Sequence, residues 1–141
     1  MNPPVQSLGR AALHVVSRLV LPPHPAAVGR ARTFVKGCCQ NVGVGQDETD
    51  VVVLLTSETV TNALMHGRSE ARLAVSFAAG VVLVEVADDN SRHPMAVDND
   101  DAALDGRGLT ILNMLATHWG VRDEALGKTV WFRVAAPWPI A

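Results

Sequence analysis

The amino-acid sequence predicts an α+β fold in which helices cover one face of a mixed, mainly antiparallel sheet, giving a two-layer sandwich. The first observation is two pairs of neighbouring apolar segments with strand character, each pair joined by a short link that contains glycine. These are residues 71–77 with 81–87 and residues 119–122 with 129–134. The second observation is two longer segments, beginning at residues 25 and 47, in which apolar side chains recur at helical spacing.

Length and composition describe one globular domain. The chain has 141 residues, of which 48% are hydrophobic and 18% charged, so one hydrophobic core is expected. No repeat or linker divides it, and we expect the domain to span residues 16–136 after a poorly ordered extension over residues 1–15. The net charge of −2 gives no reason to expect nucleic acid or an anionic membrane as partner.

The expected compartment is the cytoplasm. The longest aliphatic run, residues 51–55, is far too short to cross a membrane, and the N-terminal apolar patch lacks the cleavage site of a signal peptide. Cys38 and Cys39 are adjacent, and neighbouring cysteines rarely bridge. Such cysteine usage indicates a reducing environment.

The first half of the chain is divided by residues that break regular structure. A proline pair after residue 21 stops a short strand that begins at residue 17, and the helix that follows ends in a glycine-rich turn at residues 41–45. A second helix is predicted from about Asp47 to His66. Acidic residues occupy its first turn, where the helix dipole favours negative charge.

The second helix carries a polar stripe. Glu58, Asn62 and His66 are spaced i, i+4 and i+8, so they lie one above the other beside apolar neighbours. A carboxylate and an amide in such a setting are costly unless they have partners. Mg²⁺ takes oxygen ligands, so Asn62 could bind the metal while Glu58 holds or deprotonates a nucleophile. A solvated stripe on an ordinary helix explains the same spacing.

A candidate phosphate loop precedes a third predicted helix. In the segment Gly106-Arg107-Gly108-Leu109, the glycines allow close approach of the backbone, and the helix start offers free N–H groups to an anion. The preceding residues 91–105 have no periodicity and are predicted to form a loop. A simple turn before a helix remains the alternative for this segment.

Two further residues point to the pocket of a base. Asp88 ends an apolar strand, where its carboxylate could accept a hydrogen bond from an adenine amino group, or could start an Asx-turn. Thr129 follows Gly127 and Lys128 at the start of the last strand, and its hydroxyl could line the same pocket, or the segment could be a hairpin turn.

Taken in order, these segments resemble one superfamily. SETVTNALMHG is similar to the N box of the Bergerat-fold ATPases, which include histidine kinases, gyrase-type topoisomerases and heat-shock chaperones. With VEVADDN, GRGLTILNMLA, THWGV and GKTVWFRV, the chain resembles most the anti-sigma-factor serine kinases, in particular the short stand-alone regulators of actinomycetes. The resemblance covers about residues 16–135.

The resemblance implies a role for each candidate residue. Glu58 would be the general base, Asn62 the Mg²⁺ ligand and Asp88 the residue that reads adenine. The other residues expected to contact ATP are His66, Gly106, Arg107, Gly108, Leu109 and Thr129. Residues 91–105 would form the ATP lid. The sequence departs from the family pattern Asp-x-Gly-x-Gly, because DDNSR contains neither glycine, which predicts a stiffer hinge for the lid.

The function implied is phosphorylation of a serine on an anti-anti-sigma protein by an ATP- and Mg²⁺-binding anti-sigma factor. A different class stays open, an ATP-sensing module that binds a sigma factor or other regulator without phosphorylating it. A purely structural α+β domain is the third reading. The resemblance also leaves room for a homodimer.

Overall fold

The computed structural model describes residues 15–66, 69–90 and 114–136. Two helices and five strands lie in these segments. In chain order they are β1 (Val15–Leu21), α1 (Ala27–Val42), α2 (Gln46–His66), β2 (Ala71–Ala78), β3 (Val81–Asp88), β4 (His118–Glu124) and β5 (Gly127–Ala135).

The strands form one sheet with the order β1-β2-β3-β5-β4. Each of the four strand pairings in the described part of the chain is antiparallel. Both helices pack on the same side of this sheet, which confirms the predicted α+β sandwich with helices on one face. The third predicted helix and the predicted loop lie mostly outside the described residues.

The β2–β3 hairpin follows the predicted link. Ala79 and Gly80 both have positive φ values, 53° and 77°, as a two-residue turn of the type that matches strand twist requires. Glycine adopts this conformation without a steric cost, whereas alanine does so only under strain. The carbonyl of Gly80 also accepts a hydrogen bond from the N–H of Ala136 at 2.9 Å, so the turn is held by the end of β5.

The core forms between the helices and the inner face of the sheet. On β2 and β3 every second side chain is buried, as a half-covered antiparallel sheet requires. On α1 the buried side chains recur every four residues at Ala27, Ala31, Val35 and Cys39. Gly43 ends this helix at φ 94°, and its N–H donates to the carbonyls of Cys39 and Gln40. The first predicted helix and its glycine-rich exit are therefore confirmed.

The β4–β5 hairpin places the start of β5 beside the end of β3. Its turn consists of two residues, Ala125 and Leu126, which lie within the predicted link between residues 119–122 and 129–134. Because β5 lies between β3 and β4, Lys128 is the direct cross-strand partner of Asp88. Strand alternation then puts both side chains on the inner face, in line with Val86 and Val130.

Candidate functional site

Helix α2 holds Glu58 and Asn62 at the edge of its buried face. Both side chains are half-buried and one helical turn apart, as the spacing predicts. The helix packs against β2, β3 and β5, the last two of which carry Asp88 and Lys128. The backbone of His66 forms the last position of α2, and its side chain lies outside the described part of the structure.

The apolar surroundings of this stripe differ from the sequence expectation. Leu54 and Met65, two of the apolar neighbours of the stripe, are 42% and 58% exposed. The buried side chains instead form a single face that includes Val52, Thr56 and Val60. The polar stripe therefore lies along the border of that face, where Glu58 and Asn62 remain accessible to solvent.

A second polar position on α2 is fully buried. Thr56 is 0% exposed, and its hydroxyl has no hydrogen-bond partner within the described segments. The nearby Thr59 is also buried, but its hydroxyl donates to the carbonyl of Leu55 at 2.7 Å, the usual way in which a helical threonine is satisfied. A buried hydroxyl without a hydrogen bond is destabilising, so Thr56 lowers the stability of the helix that carries the candidate site.

Asp88 lies in the interior at the end of β3. Its exposure is 2%, because the alternation that buries three of the four valines of β3 (Val82, Val84 and Val86) continues to this residue. An isolated carboxylate at such a place would be very costly. Here both of its oxygens accept hydrogen bonds, at 3.0 Å each, from the Nζ of Lys128, which is itself only 5% exposed.

The ion pair also fixes the chain that leaves β3. The N–H of Asn90 donates to Oδ1 of Asp88 at 2.7 Å, and the carbonyl of Asn90 accepts from Nζ of Lys128 at 2.9 Å. The Asx-turn, given above as the alternative for Asp88, is therefore present, together with the interior position that the base-reading hypothesis needs. Asn90 occupies the position at which the resemblance expects the first glycine of the lid hinge. The side chains of Asp88 and Lys128 hold its backbone there through these two hydrogen bonds.

Gly127 brings the two strands unusually close. A Cβ on Gly127 would collide with the backbone carbonyl oxygen of Asp88 and would lie 2.7 Å from the Cα of Asp89. Any other residue would therefore push β5 away from β3. Glycine is therefore required for packing at position 127, and its close contact with the end of β3 sets the position of Lys128.

Thr129 is separated from Asp88 by the sheet. It pairs with Ala87, so its side chain points to the outer face, opposite to Asp88 and Lys128. Its hydroxyl donates to Oε1 of Glu124 at 3.1 Å. The sequence suggested that Thr129 and Asp88 line one pocket. The structure instead places them on opposite faces of the sheet, and it is Lys128 that contacts Asp88.

The outer face at this point carries a charged network. Arg122 donates to Glu124 at 2.9 Å and to Glu85 at 3.0 Å. Hydrogen bonds from Arg122 and then from Thr129 lower the pKa of the Glu124 carboxyl. The same two carboxylates raise the pKa of Arg122, so the group stays charged at any ordinary pH.

Lys128 is the site residue that sequence reasoning assigned no role. A signal was present, because Val130, Phe132 and Val134 alternate on the buried face and position 128 continues that series. The predicted phosphate-loop residues Gly106, Arg107, Gly108 and Leu109 lie outside the described residues, as does the predicted lid over residues 91–105.

Across the described residues, no group of three or more His, Cys, Asp or Glu side chains could hold a metal ion by itself. In the same segments, no helix is long and apolar enough to cross a membrane.

Comparison with known proteins gives a family match and a fold match. The sequence model of the histidine kinase-like ATPase domain matches residues 21–134. The structure of the RsbU and RsbW domains of Rv1364c from Mycobacterium tuberculosis is similar over 89% of this chain, at a TM-score of 0.70 and 19% identity. A blue-light activated histidine kinase from Erythrobacter litoralis is similar over 81% of the chain, at a TM-score of 0.53 and 22% identity.

These matches cover 33% and 42% of the two solved chains, so this chain spans less than half the length of either. At these identities the two structures show the shared fold. No curated protein sequence matches the chain.

Proposed function

Because the chain belongs to the histidine kinase-like ATPase domain family, we propose that it is an ATP- and Mg²⁺-dependent protein serine/threonine kinase and anti-sigma factor. Its expected substrate is an anti-anti-sigma protein. The family membership accounts for ATP binding. The anti-sigma role rests on the sequence resemblance and on the structural similarity to a protein that contains a domain named RsbW.

The observation that carries the proposal is the buried carboxylate of Asp88. It lies on the sheet face covered by α2, the helix that also bears Glu58 and Asn62. A buried acceptor at the end of a strand suits a purine amino group, which it would orient inside an apolar pocket. Asn62 and Glu58 would then serve the phosphate end of the same nucleotide.

Different residues of the chain would act at the base end and at the phosphate end of the nucleotide. The side-chain oxygen of Asn62 would hold Mg²⁺, whose charge offsets that of the phosphates. Glu58 would take the proton of the partner's serine hydroxyl as that oxygen bonds to the γ-phosphorus and ADP leaves. Half-exposure suits Glu58 for this role, since the substrate hydroxyl must reach it from solvent.

The test is phosphoryl transfer from labelled ATP to candidate anti-anti-sigma proteins from the same genome. Glu58→Gln keeps the shape of the side chain and should leave ATP affinity within a few-fold, while transfer falls by roughly a hundredfold or more, the usual scale for loss of a general base. Glu48→Gln on the same helix is the matched control and should transfer phosphate as the wild type does. Transfer by Glu58→Gln at the wild-type rate would refute Glu58 as the base.

Metal binding is tested separately. Asn62→Ala should weaken ATP binding in the presence of Mg²⁺ and should have little effect without it, whereas Thr61→Ala, one residue away, should change neither titration. Equal affinity of wild type and Asn62→Ala in Mg²⁺ would refute Asn62 as the ligand. Binding of a partner that depends on ATP, with no transfer by the wild type, would establish the ATP-sensing module instead of the kinase.

A further inference from the structure

We propose that Lys128 is a specificity-determining residue that reads the purine edge together with Asp88, by donating a hydrogen bond to the ring nitrogen next to the amino group. This inference rests on the proposed function, since it assumes that the base of ATP meets Asp88. It concerns a residue that belongs to neither the polar stripe of α2 nor the predicted phosphate loop.

Burial makes the ion pair between Lys128 and Asp88 costly. Lys128 and Asp88 have side-chain exposures of 6% and 1%, so both charges have lost nearly all their water. The attraction between two buried charges seldom repays this loss, and apolar residues of similar size are often equally or more stable in such places. A buried ion pair at the candidate base pocket is therefore better explained by binding than by stability.

Both members of the ion pair have hydrogen-bonding capacity that a base could use. Within the described residues, Oδ1 of Asp88 accepts from both Asn90 and Lys128, whereas Oδ2 accepts from Lys128 alone. A carboxylate oxygen has two acceptor positions, so Oδ2 keeps one for a base amino group. The ammonium has three protons, and two of its three contacts go to the same carboxylate. One of those two can pass to a base nitrogen while the other preserves the ion pair.

The hydrogen-bonding groups of the ion pair match the edge of adenine. Asp88 and Lys128 present an acceptor and a donor 3.0 Å apart. The edge of adenine presents the complementary order, an amino donor beside the acceptor N1. Guanine in the same position would place its carbonyl oxygen against the carboxylate and its ring N–H against the ammonium. The pair thus favours adenine at two points, whereas Asp88 alone reads only the amino group.

The experiment compares ATP with 1-deaza-ATP, in which N1 is replaced by C–H and the amino group is retained. Wild-type protein should bind 1-deaza-ATP roughly tenfold to a hundredfold more weakly than ATP, the scale of one hydrogen bond from a charged donor. In Lys128→Met the ratio should fall close to one, because the donor is gone. Lys128→Gln keeps a donor and should retain part of the discrimination.

Each outcome separates this inference from the proposed function. Absence of ATP binding by a folded wild-type protein would overturn the proposed function. Equal binding of ATP and 1-deaza-ATP by the wild type would overturn the role of Lys128 alone. An unchanged ratio in Lys128→Met would overturn it too, because another group would then donate to N1. Should Lys128→Met fail to fold, the wild-type and Lys128→Gln ratios still decide, since loss of discrimination in either contradicts the inference.

Discussion

Removal of Lys128 should destabilise the protein far more than removal of a surface cation. Lys128→Met preserves the length and volume of the side chain and leaves Asp88 with a hydrogen bond from Asn90 and no counter-charge. Breaking a buried ion pair in this way costs about 3–5 kcal/mol. For a domain of this size, that loss corresponds to a fall in melting temperature of about 10–20 °C.

The magnitude is tested by urea and thermal unfolding of four proteins, the wild type, Lys128→Met, Asp88→Asn and the double variant. The double variant removes both charges, so it should unfold closer to the wild type than either single variant does. The expected coupling energy is about 2 kcal/mol or more. Arg72→Met is the control, because Arg72 pairs with Asp89 at the exposed surface and should change stability only slightly.

Two results would refute this reasoning. One is Lys128→Met with a free energy of unfolding within about 0.5 kcal/mol of the wild type, the usual range for surface substitutions. The other is strict additivity of the two single variants, which would mean that the two charges do not stabilise one another in the folded protein.

Other parts of the fold give independent predictions. Thr56→Val should raise the free energy of unfolding by about 1 kcal/mol, because it removes a buried hydroxyl that has no hydrogen-bond partner among the described residues, whereas Thr59→Val should give no gain. Destabilisation by Thr56→Val in a urea titration would contradict this. Gly127→Ala should destabilise by about 2 kcal/mol or more because its Cβ meets backbone. Gly37→Ala should instead stabilise α1 by about 0.5–1 kcal/mol, because no atom of the described residues lies within 4 Å of the added carbon apart from its chain neighbours and the nearby backbone of α1. Equal unfolding midpoints for the two variants would refute this assignment. Burial, and then the neighbouring Cys38, raises the pKa of Cys39 to about 11. At about pH 8, iodoacetamide should therefore label Cys39 far more slowly in the native protein than in urea. Equal labelling rates by mass spectrometry would refute this.

The elements of the fold could be predicted because their signals are local. The β2–β3 hairpin follows from two alternating segments around Ala79 and Gly80, and α2 from helical spacing with acidic residues at its start. The strand order β1-β2-β3-β5-β4 could not be read in this way, because it depends on which strands meet after the long segment between β3 and β4. No local pattern in β5 says that its neighbour is β3.

The candidate site, too, was predictable only where its residues lie close together in the sequence. Glu58 and Asn62 share one helix, so their spacing alone places them together. Asp88 and its partner lie 40 positions apart, and their contact follows only from the β3–β5 register. The assignment of Thr129 to the pocket depended on that register as well, and a shift of one residue along a strand moves a side chain to the other face.

The fold separates the two ends of the proposed nucleotide site structurally. Glu58 and Asn62 depend on the helical repeat of α2, whereas the place of Lys128 depends on the close approach of Gly127 to the end of β3. The β3–β5 register pairs position 128 with Asp88, and Gly127 allows the two strands to approach closely there. A change at position 128 can therefore alter how the base is read without moving the residues proposed for metal binding and proton transfer. Base selectivity and phosphoryl transfer should respond to separate mutations, with position 128 controlling the first and position 58 the second.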